Sequence, residues 1–233
     1  MPKSNRIKER FDSVFDKISI RFHQATIPPE WRHYLPVEDL IILKRLGMKP
    51  VDLIQVPLTS LFLQHHIDRP IEFLLKTENG RVDRSILNSP HYRLLKTYEA
   101  KGLDWLNKNF KDTAYYQIYS YYNKIGKKRN LYKEDAWIRV GYDDETIWKK
   151  VLHLINIYAG IRKEGYPSSV YRNNRISVLE VPFSVGRFGA EIDWEPYEIW
   201  GGHHRAAAIA ACGEEKIEAI LIKDTKAKSC PKN

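Results

Sequence analysis

Tyr197-Glu198-Ile199-Trp200-Gly201-Gly202-His203-His204-Arg205-Ala206-Ala207-Ala208-Ile209-Ala210-Ala211-Cys212-Gly213 is the stretch that decides the fold. Tyr197–Trp200 alternates and reads as a short strand. Two glycines and a basic run follow, and Ala206–Cys212 reads as a helix that Gly213 closes. Ile217–Ile222 is then a further strand. A strand that turns through glycines into a helix opened by a basic residue is a physical recipe for holding an anion. Glycine lets backbone approach an anion closely and tolerates positive φ. The first helical turn offers unpaired N–H groups and the positive end of the dipole. Arg205 adds a planar fork of donors, and His203 and His204 can donate hydrogen bonds or relay protons.

Upstream, Asp143-Asp144-Glu145 precedes a 3.6-period stripe of Ile147, Val151, Leu154, Ile155, Tyr158 and Ile161, a helix that Gly165 stops. Ile176–Pro182 alternates and reads as a strand. Val51–Leu58 reads as a buried strand closed by Pro57, and Val37–Leu46 as a short helix. Residues 1–25 carry an amphipathic stripe of Ile7, Phe11, Val14, Phe15 and Ile18. Residues 89–135 are helical in pattern and rich in tyrosine, with Tyr115, Tyr116, Tyr119, Tyr121 and Tyr122 beside Lys124, Lys127, Lys128 and Arg129. Such a segment is either a stacking platform for single-stranded nucleic acid or, more plainly, ring-packed helix faces. These elements give a mixed α/β (α+β) fold: a small mixed sheet with flanking helices and a largely helical N-terminal and insert region.

The chain has 233 residues, with 38 Lys and Arg against 29 Asp and Glu. The excess is local. Residues 1–140 hold 25 basic and 16 acidic residues, a net of +9, whereas residues 141–223 hold 10 and 12. A basic first part can attract nucleic acid or other phosphate-bearing partners, or simply keep the surface solvated. The aromatic share of 12% excludes a disordered chain. No apolar run reaches the roughly 20 residues a membrane span needs. The N-terminus shows no apolar signal region, and Cys212 and Cys230 lack metal-finger spacing, so a cytoplasmic location is expected.

Around the glycine turn the residues resemble the ParB/sulfiredoxin-like nucleotide-binding domain family. Gly202-His203-His204-Arg205 is similar to its glycine-x-x-arginine box, Gly213 to its glycine near the helix end, and Ile217–Ile222 to its closing strand. The likeness covers residues 145–223, with Val51–Leu61 as an opening strand. It implies four segments: a helical region 1–50, an opening strand with a tyrosine-rich insert over 51–140, a nucleotide-binding core 141–223 and a basic tail 224–233. It also implies that Gly201, Gly202, His203, His204, Arg205 and Ala206 bind the phosphates of ATP or another nucleoside di- or triphosphate.

Family members include ATP-using sulfiredoxins, CTP-binding partition proteins and free-serine kinases. His203 stands where a sulfiredoxin carries its reactive cysteine, which removes that reaction. Gly201 replaces an aspartate of the kinase-like members. No helix-turn-helix follows the box. The reading that remains is ATP-dependent phosphotransfer to a small-molecule acceptor, by a kinase or nucleotidase. His204 then belongs to the catalytic set, with Asp68 or His66 as base, and Glu191 and Asp193 hold Mg²⁺. The plainer readings are a surface turn for His65-His66 and a solvated acidic loop for 191–195. Trp200, just before the glycines, is a packing residue or a flank for a nucleobase. The alternatives in function are a ParB-like DNA- or RNA-binding regulator using the basic 1–140 region, and a non-catalytic nucleotide sensor.

Overall fold

The computed structural model describes residues 27–63, 75–76, 83–129, 142–166, 175–180 and 197–224; of Glu38 and residues 122–129 it describes the backbone alone. In chain order the helices are α1 (Val37–Arg45), α2 (Pro90–Asn109), α3 (Ala114–Arg129), α4 (Asp144–Glu164) and α5 (His203–Ala211). The strands are β1 (Met48–Pro57), β2 (Leu61–Phe62), β3 (Ile176–Glu180), β4 (Tyr197–Gly201) and β5 (Lys216–Asp224). The fold is α+β, a five-stranded sheet in the order β1-β5-β3-β4-β2. β1 and β5, and β3 and β4, pair antiparallel; β3 and β5, and β2 and β4, pair parallel. Among the described residues no helix is long and apolar enough to cross a membrane.

Period-two alternation sends each strand's side chains to two different cores. Ile217, Ala219 and Leu221 of β5, Ile176 and Val178 of β3, and Ile199 of β4 join the larger core, under α2, α3, α4 and α5. Ile220 and Ile222 of β5, with Leu179 and Trp200 beside them, face the smaller core of Ile27, Leu35, Leu40, Ile41 and Leu43. The sheet is therefore covered on both faces. That explains why Ser177, which alternation alone would place in water, is buried. Trp200 belongs to the α1-side core, on the sheet face opposite α5.

β1 differs from the buried strand that its composition suggests. It lies at the sheet edge, and only Pro50 and Val56 of its ten residues are buried. The register shifts between Pro50 and Asp52, because proline has no N–H to donate to the ladder, and Val51 is left exposed.

α4 forms where its signals place it. The Asp143 side chain accepts a hydrogen bond from the Thr146 amide at 2.8 Å, and Asp144 and Glu145 follow in the first turn. All six residues of the expected stripe are buried. In α3, Tyr115 is fully buried and Tyr119 packs partly buried against the same core. These two rings are packed rather than presented as an open stacking platform.

Candidate functional site

α5 begins three residues earlier than the alanine run suggests. His203, His204 and Arg205 form its first turn, and the Ala206 amide is the first to bond back, to the Gly202 carbonyl at 2.9 Å. The amides of His203, His204 and Arg205 therefore precede the first intrahelical donor. Gly202 is the N-cap with φ 96°, no side-chain oxygen caps the helix, and no acidic residue lies in the first turn. A Cβ at Gly202 would meet both Arg205 Nη2 and Ile176 Cγ1 at 3.0 Å. Both the backbone angle and the contact with β3 require glycine here. The alanines Ala206, Ala207 and Ala208 are fully buried, which lets the helix lie close to the sheet.

Arg205 is 8% exposed and runs along the start of β3 rather than out into solvent. Its Nη2 donates to the Arg175 carbonyl at 3.5 Å, a long contact. Nearby, Arg175 Nε lies 3.2 Å from Glu218 Oε1, and the Tyr166 hydroxyl accepts from the Ile176 amide at 3.0 Å. The guanidinium thus meets backbone beside the helix N-terminus, and a ligand at the first-turn amides would share its donors.

His203 and His204 lie within a group of imidazoles and phenols that three other helices supply. His204 Nε2 is 2.8 Å from the Tyr115 hydroxyl of α3. His91 of α2 has its ring centroid 4.8 Å from that of His204, edge-on, and 6.3 Å from that of His203, stacked. His153 of α4 lies 6.0 Å from His204. The Lys150 ammonium, one turn away on α4, packs over the rings of Tyr119 and Tyr142 at 5.3 and 5.1 Å. The group is deep at Tyr115, half-buried at His91, His203, His204 and Lys150, and open at His153. The rings keep some exposed area, but protein surrounds them closely enough to strip most of their hydration.

Burial, with Arg205 close by, pulls His203 down to about 4. Burial and the neighbouring His203, His153, Lys150 and Arg205 pull His204 down to about 3. His91 is lowered well below its ordinary value, first by burial and then by His204 and His203. Among the described residues, every charged neighbour acting on these three rings is a base, and no carboxylate contributes. At neutral pH the imidazoles are uncharged. Burial raises Tyr115, so its phenol stays protonated. Its other possible acceptors, the Tyr119 hydroxyl at 3.4 Å and the Lys150 carbonyl at 3.5 Å, are both long contacts, so the proton is assigned to the short one, His204 Nε2 at 2.8 Å. That leaves the remaining proton of His204 on Nδ1.

The structure thus gathers Gly201, Gly202, His203, His204, Arg205 and Ala206 at one strand-to-helix turn. Asp68, His66, Glu191 and Asp193 lie outside the described residues. Among the described residues no group of three or more His, Cys, Asp or Glu is arranged to hold a metal ion. Sequence reasoning missed His91, Tyr142, Lys150 and His153. The only local signal was the i, i+3 spacing of Lys150 and His153, which puts them on one helix face. At the other end of α5 a groove of about 700 Å³ is lined by Gln55, Tyr166, Ile209, Glu214, Glu215 and Glu218, among others. No protein-family model matches the chain, and neither a curated protein nor a solved structure matches it.

Proposed function

We propose that the chain binds a nucleoside di- or triphosphate, ATP foremost, with its phosphates on the N-terminus of α5, and transfers a phosphoryl group to a small-molecule acceptor in the cytoplasm. The observation that carries this reading is the uncapped, acid-free first turn behind Gly202, set beside Arg205, His203, His204 and Lys150. Backbone amides, a helix dipole and a guanidinium that converge on one point favour a multiply charged anion over a neutral ligand. The resemblance of Gly202–Arg205 to the ParB/sulfiredoxin-like box makes that anion a nucleotide phosphate.

Within this reading His204 Nδ1–H is a donor to a phosphate oxygen, and Tyr115 holds its ring. Asp68 or His66 would take the acceptor's proton. Glu191 and Asp193 would hold Mg²⁺, which supplies charge neutralisation on the phosphates. Calorimetric titration with ATP, ADP and CTP tests the binding, and Arg205→Ala should weaken it on the order of ten- to a hundredfold, as loss of a charge-assisted contact does. Native protein that binds none of the three rejects the reading. Assays of phosphate transfer and of nucleotide hydrolysis then separate a kinase or nucleotidase from a nucleotide sensor.

A further inference from the structure

We propose that His91, Lys150, His153 and His204 line a second oxyanion subsite beside the α5 amides, built by helices α2, α3 and α4 and taking a phosphate or carboxylate group. It deepens the nucleotide reading, since it adjoins the same helix end. The ligand is an oxyanion carried either by the acceptor or by the outermost phosphate of the nucleotide.

Three observations converge on it. His91 Nδ1 is buried with no hydrogen-bond partner among the described residues, on a ring packed edge-on against His204. A buried polar nitrogen left unmatched costs free energy unless something occupies the space beside it. Next, Tyr115 fixes His204 by its Nε2, so that its Nδ1–H is available as a donor. Finally, Lys150 is held over the faces of Tyr119 and Tyr142, which position its ammonium at the edge of the group. Exposed His153 leaves the entrance open. Uncharged imidazoles, one ammonium and phenols form a poor site for a cation and a fitting one for an oxyanion. An entering anion also favours the protonated imidazoles that burial now disfavours.

Sulfate is the probe, because it does not titrate between pH 5 and 8. The full-length protein is titrated with sodium sulfate by calorimetry and by ¹⁵N NMR of its histidines. Binding that weakens about tenfold in both His91→Phe and Lys150→Met, for a loss of about 1.4 kcal/mol in each, supports the subsite. Native protein that binds no sulfate, or variants that bind it as tightly as native, overturn it. Should His91→Phe fail to fold, the native spectrum decides: sulfate must shift His91 and His204 nitrogens, and unshifted signals overturn the proposal. Repeating the titration with saturating ADP or ATP identifies the source. Displacement of sulfate by ATP but not by ADP assigns the subsite to the outermost phosphate, and retention with both assigns it to the acceptor. Sulfate binding that depends on His91 in a protein that binds no nucleotide keeps the subsite and rejects the nucleotide reading alone.

Discussion

α5 is nine residues long, and its two ends are chemically opposite. The N-terminal end has a first turn without a side-chain cap, Arg205, two histidines and Lys150 nearby, and among the described residues no carboxylate acts on the rings. The C-terminal end has a groove of about 700 Å³, and its walls include Glu214, Glu215 and Glu218. There Glu214 and Glu215 add to the negative end of the helix dipole, offset in part by Lys216 and by the Arg175 partner of Glu218, so an anion is disfavoured. The presence of a groove alone would select the C-terminal end. Charge selects the other end, and it does so with the helix dipole rather than against it.

The largest effect that sharpens this contrast is expected at Gly202. Gly202→Val forces a β-branched residue to φ 96° and drives its Cβ within 3.0 Å of Ile176. Positive φ and overpacking together cost about 2–4 kcal/mol, read as a lower melting temperature with loss of sulfate and ATP binding. A variant as stable as native would mean that the turn is not built as described.

Acid is the next lever. His203 and His204 sit at about 4 and about 3 when folded, below the ordinary 6.5 they regain on unfolding. Below that ordinary value the unfolded chain takes up protons that the folded one refuses, so their contribution to stability is lost as pH falls from 6.5 toward 4. Melting curves from pH 7 to 4.5 should show this decline, and His204→Gln should flatten it. An unchanged slope in the variant would place the acid sensitivity elsewhere. Sulfate should bind more tightly at pH 5.5 than at 8, because the bound anion favours protonated imidazole.

Tyr115→Phe removes one hydrogen bond to His204, worth about 1 kcal/mol. A packing change alone would lower stability. Loss of the tautomer constraint would also move the His204 ¹⁵N signals and reduce sulfate affinity, and those two readouts separate the explanations. The smallest effect is expected for Glu214→Gln with Glu215→Gln at the far end, which should leave ATP affinity within about twofold, since screening damps surface charges at that range. A large change there would mean that the C-terminal groove holds the nucleotide after all.

Several of these elements could be read from the chain alone. The acidic start and apolar stripe of α4 and the apolar run of β5 are local patterns with local causes. The glycine turn could be read too, as strand, glycines and basic residues in order. The start of α5 could not, because histidine is a middling helix former and only the Gly202 geometry shows that His203 is already helical. Nor could the edge position of β1, since an apolar run looks the same at an edge and in the centre of a sheet.

Composition and spacing by themselves determined the α+β elements and a strand-to-helix turn suited to an anion, because both follow from dihedral preferences and periodicity within a few residues. Only the tertiary structure decided what surrounds that turn. His91, Tyr115, Lys150 and His153 come from three helices far away in the chain, brought over α5 by a shared apolar core. Hydrophobic burial is non-directional and acts between any faces that fit, so no local pattern announces which polar groups it will bring together.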